Sequence, residues 1–261
     1  MKRTLIVVLG ALGAQAACAG VYVEMVDRDR ADTAAKEKLA QKIYMQNGVG
    51  RFVDGEGHST LIKNSTMYII DDSDKTYIAF DKATMEQLAQ KISVQMEKAK
   101  EQLAKLPPEQ RAQMEQMMPA LSGGQQKHTV EAVDTGKSDK VDGRACRIWD
   151  IKRNGELDDQ ICVVPYSTLP GKENFQTAFA NFAKAFEEMA KAVPMLSGMM
   201  SNEFDAQAKV NGFPVRTVGY DNGKLGTEEH VMRVWREEAI PASMLDIPAG
   251  YKQKQMPMGE E

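Results

Sequence analysis

The chain is poor in the residues that most often carry chemistry: three histidines and three cysteines in 261 residues. His58, His128 and His230 lie far apart, and none falls in a His-Glu-x-x-His or comparable ligand spacing, so no metal site is expected. There is no Cys-x-x-Cys, no Gly-x-Ser-x-Gly elbow and no phosphate-cradling Gly-x-x-x-x-Gly-Lys, which removes the signatures of dithiol redox, serine-hydrolase and P-loop chemistry. Asp71-Asp72-Ser73-Asp74 lacks the glycine and glutamate that complete an EF-hand loop and reads as a solvated turn. The adjacent pairs Glu187-Glu188 and Glu237-Glu238 point to different sides of a helix or strand and make no acid/base dyad. Positive charge is not in surplus either. With 33 Lys+Arg against 37 Asp+Glu the formal net charge is −4, which excludes the cationic footprint of a nucleic-acid binder. The expectation is a non-enzymatic protein without cofactor or nucleic-acid partner.

Long apolar runs are also missing. The longest, Leu5–Leu12, is far short of the roughly 20 residues that span a bilayer. It follows the cationic start Met1-Lys2-Arg3 and precedes small residues at Ala14, Ala16, Ala17 and Ala19, which is the layout of a secretory signal peptide. Cleavage after Ala16 and after Ala19 both fit the small-residue rule. The second removes Cys18 and leaves an even pair, Cys146 and Cys162, suited to an oxidising compartment, so residues 1–19 are taken as the signal and Gly20 as the mature start. Lipidation of Cys18 is the competing reading, but Gln15 stands where lipoprotein signals usually carry Leu. A periplasmic protein with no transmembrane segment after signal removal is expected.

What is present is an ordinary globular composition, 43% hydrophobic and 27% charged, enough for one large domain over residues 20–252 and a polar tail over 253–261. Strand-like runs at Gly20–Asp27, Lys42–Gln46, Ser59–Lys63, Thr66–Ile70 and Thr76–Phe80 alternate with Asn-Gly, Asp-Gly and Asn-Ser turns and predict an antiparallel meander. Asp81, Thr84 and Gln87 then read as a helix start with a capping box. Met85, Leu88, Ile92, Met96, Ala99, Leu103 and Leu106 follow at helical spacing, and Pro107-Pro108 ends the run. A shorter piece continues the block to about residue 121. Strands resume at Lys127–Val133 and in the cysteine hairpin. A helix from about Lys172 to residue 200 carries Phe175, Phe179, Phe182, Phe186, Met189 and Val193 on one stripe. Strands near Ala206–Val210, Pro214–Tyr220 and Glu228–Arg236 close the domain.

The runs 144–152 and 156–164 flank Arg153-Asn154-Gly155, read as a three-residue hairpin loop. That loop pairs Lys152 with Glu156 and sets Cys146 directly opposite Cys162, predicting a cross-strand disulfide. A two-residue Asn-Gly loop would instead place Cys146 opposite Val163.

Several short segments together resemble a periplasmic family of unknown function related to the outer-membrane lipoprotein carriers. They are Val21-Tyr22-Val23-Glu24-Met25, Lys42-Ile43-Tyr44-Met45 with Arg51 nearby, Met67-Tyr68-Ile69-Ile70-Asp71, Lys75-Thr76-Tyr77, Val141-Asp142-Gly143, Gly212-Phe213-Pro214-Val215 and Ile247-Pro248-Ala249-Gly250-Tyr251. The resemblance implies an α+β fold, a curved antiparallel half-barrel whose concave face is covered by amphipathic helices, and in the carrier relatives that face holds acyl chains. The expected function is therefore binding of an acyl chain, lipid or other hydrophobic ligand. Phe175, Phe179, Phe182, Phe186, Met85, Leu88, Ile92 and Met96 are the cavity candidates.

Two other readings accompany it. The same apolar helical face can dock an envelope protein with no small ligand. The 17 methionines, clustered at Met114/Met117/Met118, Met195/Met199/Met200 and Met256/Met258, also suit Cu(I) or Ag(I), although no His or Cys joins them.

Overall fold

The computed structural model describes residues 19–32, 34–107, 110–111, 129–192, 206–221 and 223–255. Six strands, β1 (Gly20–Asp29), β2 (Lys38–Gln46), β3 (Val49–Asp54), β4 (His58–Lys63), β5 (Thr66–Asp71) and β6 (Thr76–Phe80), precede helix α1 (Lys82–Ala104). Strands β7 (Val130–Val141), β8 (Arg144–Arg153) and β9 (Glu156–Pro165) lead to helix α2 (Lys172–Ala192), and β10 (Gly212–Asp221), β11 (Lys224–Leu225), β12 (Glu228–Glu238) and β13 (Lys252–Gln253) follow. The thirteen strands make one sheet in the order β13-β6-β5-β4-β3-β2-β1-β12-β10-β9-β8-β7, with β11 added on β10. Every pairing is antiparallel except that of β13 with β6, and the curved sheet does not close on itself.

Turn chemistry explains the meander. Asn47-Gly48, Asn64-Ser65, Asp142-Gly143 and Asn154-Gly155 each put two consecutive residues at positive φ, the twist-matched two-residue hairpin that Asn, Asp and Gly tolerate best. β3, hidden in the sequence between its Asn-Gly and Asp-Gly turns, is thereby an ordinary hairpin partner of both β2 and β4.

The cysteine hairpin differs from its expected register. Its loop has two residues, Asn154-Gly155, so Arg153 faces Glu156. A bulge then carries the pairing from Lys152–Leu157 to Ile151–Asp159, setting Ile148 opposite Cys162. Cys146 and Cys162 are thus diagonal neighbours rather than directly opposed. The curl of the sheet brings their Cα atoms to 5.4 Å and they form the disulfide.

Residues 206–210, expected as a strand, are one helical turn, and the spacing of two residues explains why. Ala206 and Val210 are placed i, i+4 on one helix face, and both are buried against Ala132, Ile161 and Val163 on the back of the sheet. The helix start also differs. Asp81 is the N-cap and its side chain accepts from the Thr84 amide at 2.8 Å, so Thr84 lies inside the helix and no Thr84–Gln87 box forms. α1 stops at Ala104, where the Leu103 carbonyl accepts from the Leu106 amide at 3.1 Å and the Arg111 guanidinium donates to the carbonyls of Leu103, Ala104 and Leu106. The remainder of the expected block to residue 121, and residues 193–200 of the other, lie outside the described residues.

Alternation sorts the strands into two faces. The front face carries Val21, Val23, Ile43, Met45 and the disulfide, and α2 packs across β1 to β5 on it. The back face of β2 to β6 carries Tyr44, Arg51, Leu61 and Tyr68 in one cross-strand row. The segment 239–254 straps the sheet there. Arg51, only 4% exposed, donates to Ser59 Oγ at 3.1 Å and to the Asp246 carbonyl at 3.3 Å. Lys63 pairs with Asp246 at 2.8 Å and the Tyr251 hydroxyl donates to Asp72 at 2.9 Å. These are the residues of the Arg51 and Ile247–Tyr251 motifs, and their role here is to hold strap to sheet.

Candidate functional site

The aromatic stripe of α2 begins in the core. Phe175 is 5% exposed and its ring lies 5.3 Å from Phe213, 5.5 Å from Trp235 and 5.6 Å from Tyr166. Trp235 is itself fixed, its indole N–H donating to the Pro170 carbonyl at 2.8 Å. Polar side chains set the helix in register over the β2–β3 turn. Asn174 accepts from the Asn47 amide and donates to the Ala19 carbonyl, and Asn181 donates to the Gly48 carbonyl at 2.9 Å. Gly48 has φ +77°, and a Cβ there would stand 2.5 Å from Asn181 Nδ2, so a side chain would be strained and would displace the Asn181 amide from its bond.

Beyond Phe175 the stripe emerges. Phe179, Phe182 and Phe186 continue it as a ladder with centroid spacings of 6.3, 6.2 and 6.4 Å, and each is half-buried. On the sheet beside them runs a cross-strand row of Ile43, Phe52, Thr60, Ile69 and Ile78. Ile43 is in the core, whereas Phe52, Ile69 and Ile78 are half-buried. These three were not singled out from the sequence. Their signal was available in the alternation of β5, where Met67 and Ile69 take the face opposite Tyr68 and Ile70.

Helix α1 completes the arrangement. Met85, 3% exposed, gathers Met67, Phe80, Leu88, Ala89, Ile92 and Phe186 around it. Of the remaining α1 side chains only Leu103 is buried. Met96 is half-buried and Val94 is 55% exposed. The structure therefore brings Phe175 and Phe179 to one cluster and Phe186, Met85, Leu88 and Ile92 to a second, with Phe182 bridging them. Met96 lies a turn further out.

Charge is concentrated elsewhere, at the curled end of the front face. The β7–β8 turn folds back onto β1 and β12, although β9 and β10 lie between them in hydrogen-bonded order. Asp142 in that turn accepts from Arg28 at 3.1 Å and from Arg233 at 3.5 Å. Arg216 meets Asp139 at 2.8 Å, and buried Glu229 sits 3.6 to 4.0 Å from Arg30, Arg28 and Arg216. Burial by itself disfavours the ionised form of Asp142, but the hydrogen bonds and charges of Arg28 and Arg233 outweigh it and hold its carboxyl below the usual range.

Among the described residues no three His, Cys, Asp or Glu side chains converge as a metal ion would need. His58 lies 3.4 Å from Asp54 and His230 pairs with Asp27. Asp71 caps its own turn, accepting from Ser73 and Asp74. Cys18, His128 and the six clustered methionines before residue 201, with Met256 and Met258, lie outside the described residues. No helix among the described residues is long and apolar enough to cross a membrane, and the disulfide is compatible with an extracytoplasmic location.

No curated protein matches the sequence. A crystal structure of an uncharacterized conserved protein from Thermus thermophilus is similar over 91% of this chain and 90% of that one, at 9% identity and a TM-score of 0.43. The family model described as a domain of unknown function, DUF4412, matches residues 82–251, from the first turn of α1 through the strap, and the chain belongs to that family.

Proposed function

We propose that this is a non-enzymatic periplasmic binding protein, exported by the signal at residues 1–19, that holds an acyl chain or similar hydrophobic ligand between the helices and the front face of β3 to β6. One observation carries the reading. Phe52, Ile69 and Ile78 on the sheet, with Thr60 between the first two, and Phe179, Phe182 and Phe186 on α2 are all half-buried, whereas the same stripe is fully buried at Phe175. A helix serving only as core would bury its stripe throughout. Methionines at Met67 and Met85 give the wall the adaptability that a flexible ligand requires. α1, which buries only Met85 and Leu103, is the element that would move aside. The resemblance to the lipoprotein carriers, in which helices cover the acyl-binding concave face, agrees with this arrangement.

Native mass spectrometry of the protein purified from a periplasm, followed by denaturing extraction, tests the reading. A reproducible co-purified lipid or fatty acid that is lost in a Phe179→Ser/Phe182→Ser variant is the expected result. A clean ligand-free mass, with thermal stability unchanged by added fatty acid, overturns it in favour of a protein-docking surface.

A further inference from the structure

At the edge of the same region a cleft of about 390 Å³ opens between α1 and the strap, lined by Thr84, Gln87, Leu88 and Lys91 of the helix, Ala79 of β6, and Gln253, Lys254 and Gln255. Its wall contains two ammonium groups, three carboxamides and a hydroxyl, and no carboxylate, in a chain whose overall charge is negative. Lys254 is held by Asp74 at 2.8 Å, which uses one of its three N–H donors and fixes the position of the rest. Lys91, one helical turn beyond Leu88, forms no ion pair among the described residues. Leu88 belongs at once to the cleft wall and to the apolar cluster around Met85 and Phe186. Polar cations thus stand at one side of Leu88 and the hydrophobic surface at the other, the amphiphilic pattern of a fatty acid or phospholipid.

Building on the proposed function, we propose that this cleft binds the anionic head group, a carboxylate or phosphate, of an amphiphile whose chain passes Leu88 into the apolar surface. Lys91 and Lys254 supply the charge, and the Gln87, Gln253 and Gln255 amides and the Thr84 hydroxyl supply neutral hydrogen bonds. β13 and the residues after it contribute three of the eight lining residues, which gives the strap a role in recognition beyond bracing the sheet.

Calorimetric titration of the purified mature chain with dodecanoate, dodecanol and inorganic phosphate, repeated on Lys91→Gln, Lys254→Gln and the double variant, tests this assignment. Dodecanoate should bind more tightly than dodecanol, and the double variant should weaken dodecanoate roughly tenfold while leaving dodecanol unchanged. Because both lysines are exposed, melting curves should be unaltered, and Lys91→Arg should restore affinity. Equal binding of dodecanoate and dodecanol, unaffected by either substitution, would overturn the head-group site and leave the apolar reading standing. Binding of neither amphiphile would overturn both. Phosphate that binds where dodecanoate and dodecanol do not would overturn the assignment to an amphiphile's head group and leave a site for a free anion.

Discussion

The two halves of the sheet are held in opposite ways. From β12 through β10 to β7 the sheet curls onto itself, the Cys146–Cys162 bridge staples two of its strands, and the β7–β8 turn is latched to β1 and β12 by Arg28, Arg233 and Asp142. Its front face is filled by its own residues together with Phe175 of α2. From β2 to β6 the front face has no such closure, and two helices cover it. One of them, α2, is anchored at Phe175, Asn174 and Asn181. The other, α1, buries only Met85 and Leu103 along its 23 residues. The half-buried apolar side chains lie in the half that the helices pack against.

The contrast can be broken at several points. Phe175→Ala removes the ring on which the rigid end of α2 turns and should cost about 3–5 kcal/mol in denaturant unfolding, close to the limit of what a single domain tolerates. Replacing Cys146 and Cys162 together by Ser opens a link with a sequence separation of 16, worth about 3 kcal/mol in the chain-entropy account. The loss should be accompanied by faster amide exchange in β7 to β9 and no change in α1. A mass shift on alkylation of the native protein without reductant would show free thiols and contradict the bridge.

The ionic latch is weaker. Asp142→Asn should cost about 1 kcal/mol at neutral pH, since its partners are partly solvated. The folded carboxyl lies below its unfolded value, so this contribution is complete above the ordinary carboxylate range and disappears as the pH falls through the folded value. Melting curves of the wild type and the variant should therefore separate at neutral pH and converge as the pH falls below the ordinary carboxylate range through the folded value. A gap that widens in acid would contradict the sign. The smallest effect belongs to α1: Val94→Ser and Met96→Ser should change stability by no more than about 0.5 kcal/mol, because neither side chain is buried.

Much of this was legible in the chain. The Asn-Gly and Asp-Gly turns, the β-branched runs and the phenylalanine spacing mark hairpins and an amphipathic helix through local rules, and the structure contains both. The bridge between Cys146 and Cys162 was expected from a three-residue loop that set the two directly opposite; it is present, but across a two-residue loop and between diagonal neighbours. A bulge at Asp158 shifts the register between loop and bridge, and no glycine or proline at that point marks it in the sequence. Arg51 illustrates the same limit. An arginine in a short strand reads as solvent-facing, and only the return of a segment nearly 200 residues later buries it beneath the Asp246 carbonyl. The lysine cleft was invisible for the same reason, since Lys91 and Lys254 meet only where the strap joins β6.

Hydrogen-exchange mass spectrometry of the mature protein with and without dodecanoate tests the division most directly. The account predicts added protection in α1, in the outer turns of α2 and in β5 to β6, with none in β7 to β10. Unchanged exchange throughout at saturating ligand, or protection confined to the disulfide-braced half, would contradict it.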